Sequence, residues 1–136
     1  VNTVDADNGE QPLPVGCVNA VTRVGDTVRQ ARSPNTTFVH RLLALFQQQH
    51  WPGAPRFLGI DDQQREVLRH IDGHVPWQPP HPRDEPSLVR VARLVREFHD
   101  LTAGTDLAGD QEVVCHNDLS PKNTVPPRKA PSADAG

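Results

Sequence analysis

Five prolines fall in the run HVPWQPPHPRDEP, His74–Pro86, and neither a helix interior nor a central strand can be threaded through them. Each proline ring locks φ and removes a backbone donor, so the run reads as a semi-extended linker, with its boundaries at 72–86. It divides a chain of 136 residues into two stretches, neither of which holds a full-sized core by itself. Hydrophobic residues make up 35% and aromatic residues 4% of the chain, with 14 Pro and 9 Gly, so the core is expected to be thin.

The stretch before the linker alternates strand and helix signals. Residues 1–12 are polar and acidic without periodicity, which predicts a disordered start and order from Leu13. Cys17–Val24 and Thr27–Ala31 read as two β-runs joined by Gly25-Asp26, a hairpin whose glycine takes a positive φ. Ser33-Pro34-Asn35-Thr36 supplies turn and capping chemistry. Val39, Leu42, Leu43 and Phe46 then recur at helical spacing and predict a helix over about 36–49. Trp51-Pro52-Gly53-Ala54-Pro55 ends it, and Arg56–Ile60, Asp61–Gln64 and Arg65–Ile71 read as strand, turn and strand. A sheet-and-helix unit over 13–71 is the expectation.

After the linker, Pro86 can open a helix, and Leu88, Val91, Ala92, Val95 and Phe98 form one apolar stripe, predicting a helix over about 86–102. Gly104–Asp110 is a loop, and Glu112–Cys115 reads as a short apolar strand. Residues 126–136, PPRKAPSADAG, carry no periodicity and are expected to be disordered.

Formal charge is −3, with no dense Lys/Arg stripe, so binding to nucleic acid or a membrane surface is disfavoured and a small-molecule or protein partner is favoured. No apolar run approaches membrane-spanning length, and the first residues lack the pattern of a secretory signal, which points to the cytoplasm. Cys17 and Cys115 stand alone and read as reduced, partly buried thiols.

The chemistry-bearing constellation is His116-x-Asp118-x₄-Asn123, directly after the run VVC. Phosphoryl transfer needs a carboxylate facing the acceptor hydroxyl and, five positions on, an amide oxygen able to reach a Mg²⁺ that bridges phosphates. On this reading Asp118 accepts the hydroxyl proton and Asn123 ligates metal. His116 braces the loop by hydrogen bonds, and Leu119 anchors it in the core.

VVCHNDLSPKNTV resembles the catalytic loop of the aminoglycoside phosphotransferase family, small-molecule kinases with a protein-kinase-like fold, and REFHDLT resembles the helix end preceding that loop. LPVGCVNAVTRVGDTVR is similar to the family's first strands and phosphate loop, and GAPRFLGIDDQQREVLRHIDG to the strands leading into the hinge. The resemblance runs from Leu13 to Val125. It implies an α+β fold: a small antiparallel-sheet N-lobe with one helix over 13–71, a hinge over 72–86 and a partial helical C-lobe over 87–125.

The function implied is transfer of the γ-phosphate of ATP to a hydroxyl of a small molecule, with ATP and Mg²⁺ as cofactors. Gly16, Cys17 and Asn19 would lie over the nucleotide phosphates, and Arg29 would be the cation on the α- and β-phosphates. The backbone of Arg69–Asp72, Ile71 included, would meet adenine, while Asp118, His116 and Asn123 take the roles given above.

Two departures from the family pattern stand out. His40 lies near where a glutamate would pair with the phosphate cation, and no acid occurs between Asn35 and Trp51. The second metal-binding aspartate is expected a dozen or more residues beyond the loop, but only 13 residues follow Asn123 and their sole acid is Asp134. The chain is therefore read as truncated relative to the family, with activity impaired. The competing reading is a non-catalytic nucleotide-binding or protein-interaction remnant.

Overall fold

A computed structural model describes residues 9–13, 20–73, 85–119 and 124–125. The elements are β1 (Gln11–Leu13), β2 (Val21–Val24), β3 (Thr27–Gln30), α1 (Thr36–Gln48), β4 (Phe57–Ile60), β5 (Glu66–Arg69) and α2 (Glu85–Thr102). The five strands form one antiparallel sheet in the order β1-β2-β3-β5-β4. The chain leaves β3, passes through α1 to the far edge at β4, and returns as β5 to fill the gap.

Local chemistry sets each boundary. Gly25, at φ +58°, occupies the first position of the β2–β3 turn, where only a residue without Cβ adopts that φ cheaply. α1 ends in a Schellman arrangement: His50 is left-handed at φ +53°, its N–H reaches the Gln47 carbonyl at 3.1 Å, and the Trp51 N–H reaches the Phe46 carbonyl at 2.9 Å. That bend lays the Trp51 indole edge-on to the Phe46 ring, with centroids 4.6 Å apart. Gly53 closes the corner, because a Cβ there would collide with the indole.

The core lies between one face of the sheet and the helices. Leu42, Leu43, Phe46 and Leu68 are buried, and Val39, Trp51, Ala54, Phe57, Phe98, Leu101, Leu107 and Val114 pack against them. Phe46 touches Phe98 at 5.2 Å between ring centroids, and Trp51 donates its indole N–H to Glu97 at 2.7 Å, so α1 and α2 are held to each other directly.

Three expectations need correction. Gln11 and Pro12 lie in a strand, not in a disordered start; Pro12 is tolerated because β1 is an edge strand. Glu112–Cys115 forms no strand, since the Val114 N–H is taken by the Thr102 hydroxyl at 3.1 Å rather than by a ladder partner. The α2 stripe is covered unevenly: Phe98 packs on the core and Val91 and Val95 are half-buried, whereas Ala92 is exposed and Leu88 is 60% exposed. The linker, apart from residues 72–73 and 85–86, lies outside the described residues, as do 1–8 and 126–136. No helix among the described residues is long and apolar enough to cross a membrane.

On the sheet face away from α1 the charges are paired. Arg65 donates to Asp61 and to Glu10, each at 2.8 Å, and so ties the residue before β1 to the β4–β5 turn. The Arg65 hydrogen bond is the main cause of the lowered Glu10 pKa. Burial opposes ionisation of Asp61, but hydrogen bonds from the Arg65 amide and guanidinium and from the Gln63 amide outweigh it and lower that pKa too. Depressed carboxylates stabilise the fold fully above their ordinary values of 4.5 and 3.8, and the contribution is lost as pH falls through the lower, folded values. Arg65→Ala is accordingly expected to lower the melting temperature near neutral pH, with the deficit against the parent chain shrinking below about pH 4. Melts of both chains across pH check it.

Phe46 is only 3% exposed and touches both Trp51 and Phe98. Phe46→Ala is expected to cost about 3–5 kcal/mol, read by denaturant unfolding.

Candidate active site

The last turn of α2 and the residues after it build the site. Thr102 is fully buried, at 0% exposure. Its hydroxyl sits 3.1 Å from the Phe98 carbonyl and 3.2 Å from the His99 carbonyl, to which its single proton is directed, and accepts the Val114 N–H at 3.1 Å. Its own carbonyl accepts the Thr105 hydroxyl at 2.7 Å. Gly104, at φ +68°, lets the chain turn away from the helix, and Ala108 is buried in the connecting loop. Residues 102–114 thus form a closed loop pinned at both ends.

Beyond Val114 the chain emerges. Cys115, His116, Asn117 and Asp118 are exposed, and Cys115 is a free thiol rather than the partly buried one expected. Asn117 is left-handed at φ +60°, a conformation Asn tolerates better than most residues. That turn brings the Asp118 N–H to His116 Nδ1 at 3.3 Å, and the imidazole lies edge-on to Phe98 with centroids 6.4 Å apart. His116 accepts the Asp118 amide within this turn. Leu119, expected to anchor the turn in the core, is instead 48% exposed.

The other expected site residues are distributed differently. Gly16, Cys17, Asn19 and Asn123 lie outside the described residues. Arg29 sits on β3 in register with Thr22 and Val67, on the sheet face away from α1. Its guanidinium is 3.6 Å from Asp61 and 2.7 Å from the Thr27 hydroxyl. Val114, which leads into the His116–Asp118 turn, packs on the core, whereas Arg29 lies on the sheet face away from that core. Arg69 gives its N–H to the Arg56 carbonyl and His70 gives its own to Asp26, each at 2.8 Å, so these two amides are committed to the sheet. Ile71 follows at the strand end, 43% exposed.

Sequence reasoning missed the pair that bridges sheet and helix. Glu66 on β5 is 4% exposed, and His40 on α1 donates through Nε2 to its Oε1 at 2.6 Å, while Gln30 Nε2 donates to its Oε2 at 3.0 Å. Phe57 stacks on the imidazole at 3.8 Å. The polar residue of β3 that faces α1 is therefore Gln30, beside Val28, and the histidine of the helix–sheet pair is on the helix with the acid on β5. The missed signal was the alternation of β3, which places residue 30, not 29, on the face of Val28 and the core.

No group of three or more His, Cys, Asp or Glu side chains able to hold a metal occurs among the described residues. No family model, no curated protein and no solved structure matches the chain.

Arg29→Ala is expected to loosen the Asp61 turn slightly and to leave any ATP-induced rise in melting temperature unchanged. Melts with and without ATP check this, and a lost rise would place the guanidinium on the nucleotide.

Proposed function

We propose that the chain carries the transfer loop of an ATP-dependent small-molecule kinase resembling the aminoglycoside phosphotransferases, built on a protein-kinase-like fold. The observation that supports this most is the loop itself. Asp118 is exposed at a turn whose geometry is held by His116 and by the buried end of α2, as a carboxylate that must meet a hydroxyl from solvent requires. The order of parts agrees with it: an antiparallel sheet with a helix after β3, then a second helix leading into the loop.

In the step this implies, the acceptor oxygen bonds to the γ-phosphorus, the bridging bond to ADP breaks, and the hydroxyl proton passes to the Asp118 carboxylate. The carboxylate of Asp118 and the amide of Asn123 offer the oxygen donors that a hard cation prefers, so the donor set suits Mg²⁺. When bound, Mg²⁺ would neutralise charge on the phosphates; Asn123 would hold it, and Asp118 would orient the acceptor.

The reversed His40–Glu66 pair and the neutral Gln30 beside it favour a second reading. With no described cation on β3 turned toward α1, the chain would be a non-catalytic module, binding nucleotide or meeting a protein partner through the exposed start of α2.

Melts of the purified chain with ATP, with and without Mg²⁺, separate the two. Ligand at about 100 times its dissociation constant adds about 2.7 kcal/mol to the folded state. A rise that needs Mg²⁺, together with phosphate transfer to an aminoalcohol or aminoglycoside acceptor, is the expected outcome; a melt indifferent to Mg-ATP moves the conclusion to the second reading. Asp118→Asn is expected to abolish transfer and to leave the nucleotide-induced rise intact.

A further inference from the structure

We infer that Thr102 is a positioning residue for Asp118: its buried hydroxyl sets where the transfer loop leaves α2 and thereby aims the carboxylate. The inference rests on the phosphotransfer reading for what Asp118 does, and on the geometry of α2 for the rest.

A threonine at 0% exposure must have its hydroxyl satisfied, and this one is satisfied in two directions. Toward the helix it donates to the shared carbonyls of Phe98 and His99; toward the loop it accepts from Val114. The helix ladder already occupies the first partners, so the proton chiefly orients the hydroxyl. The lone pair left over meets Val114, twelve residues on. From Val114 only three residues intervene before Asp118.

A second contact along the same path comes from the same helix. Phe98, one turn before Thr102, carries the His116 imidazole on its ring, and His116 Nδ1 accepts the Asp118 amide. The position of Asp118 thus descends from two points on the last turn of α2, and Thr102 supplies the one that is a buried hydrogen bond. Exposed chain fixed at a single point would swing; two points a turn apart define a direction. A valine at 102 would keep the packing volume and the methyl but offer no acceptor, which severs the first point alone.

The test compares the parent chain with Thr102→Val and Thr102→Ser by amide hydrogen exchange and by phosphate transfer from ATP. In Thr102→Val, exchange at Val114 and Asp118 is expected to quicken about tenfold or more, with exchange in β3 and β5 unchanged. In Thr102→Ser, which restores the acceptor, exchange at both positions is expected to return toward the parent rate. With Thr102→Val, kcat is expected to fall about tenfold at an unchanged KM for ATP, and serine is expected to recover it. Faster exchange spread evenly over the fold, no change at 114–118, or loss of the cooperative melt in the valine chain would each overturn the inference, because the hydroxyl would then hold everything or nothing. A parent chain that transfers no phosphate defeats the functional reading instead, while the exchange pattern still decides whether Thr102 sets the loop.

Discussion

The contact among Phe46, Trp51 and Phe98 is the constraint on which the rest depends. Ring centroids lie 4.6, 5.2 and 6.2 Å apart in tilted and edge-on arrangements, the geometry in which aromatic quadrupoles attract. Phe46 and Trp51 belong to the stretch before the proline-rich linker and Phe98 to the stretch after it. The buried apolar residues among those described are Leu42, Leu43, Phe46, Leu68 and Ala108, so the triangle carries much of the join between the two stretches. Each pair adds about 0.5–1.5 kcal/mol beyond its buried area, a large increment for a core this small. The same Phe98 ring receives His116 on another side, so the contact that unites the two stretches also supports the loop.

That dependence explains why the elements were legible from sequence while the site was only partly so. Turn chemistry at Gly25-Asp26 and Asp61–Gln64, and the 3.6-residue spacing of Val39, Leu42, Leu43 and Phe46, are local signals that need no partner. The hairpins and both helices accordingly fall within a few residues of where they were expected. β1 was not legible, because a three-residue edge strand beginning Gln-Pro has no periodicity; it is held by the Glu10–Arg65 pair, between residues far apart in sequence. Glu112–Cys115 has the composition of a strand, but a strand exists only where another offers its ladder, and here a threonine hydroxyl took the amide first.

Arg29 illustrates the limit most sharply. Side chains alternate along a strand, so an assignment one position off transfers a residue from the core side of a sheet to the other. TVRQ reads equally well with Arg29 or Gln30 inward until Leu68, opposite Val28, is seen in the core; then Gln30 and Glu66 must face α1, and Arg29 must turn toward Asp61. Glu66 could not have been paired from sequence either, since its partner His40 lies on a different element, 26 positions earlier. In place of an acid on the helix reaching a cation on the strand, this fold sets a histidine on the helix against a buried carboxylate. The pair joins α1 to β5 rather than to β3, and it leaves the α1-facing side of β3 with the Gln30 amide, which donates to the same carboxylate.

The consequence bears on how a loop of this kind could act. A transfer site needs its carboxylate, its metal and its nucleotide held to within a fraction of an ångström, and such precision comes from rigid elements rather than from the loop. Here the rigid part is the end of α2, where Thr102 and Phe98 fix Val114 and His116. Asp118 follows within one left-handed residue of that anchor, and Leu119, exposed, contributes none of its own. Whatever precision Asp118 has is therefore inherited from the helix before it, through one buried hydroxyl and one aromatic edge.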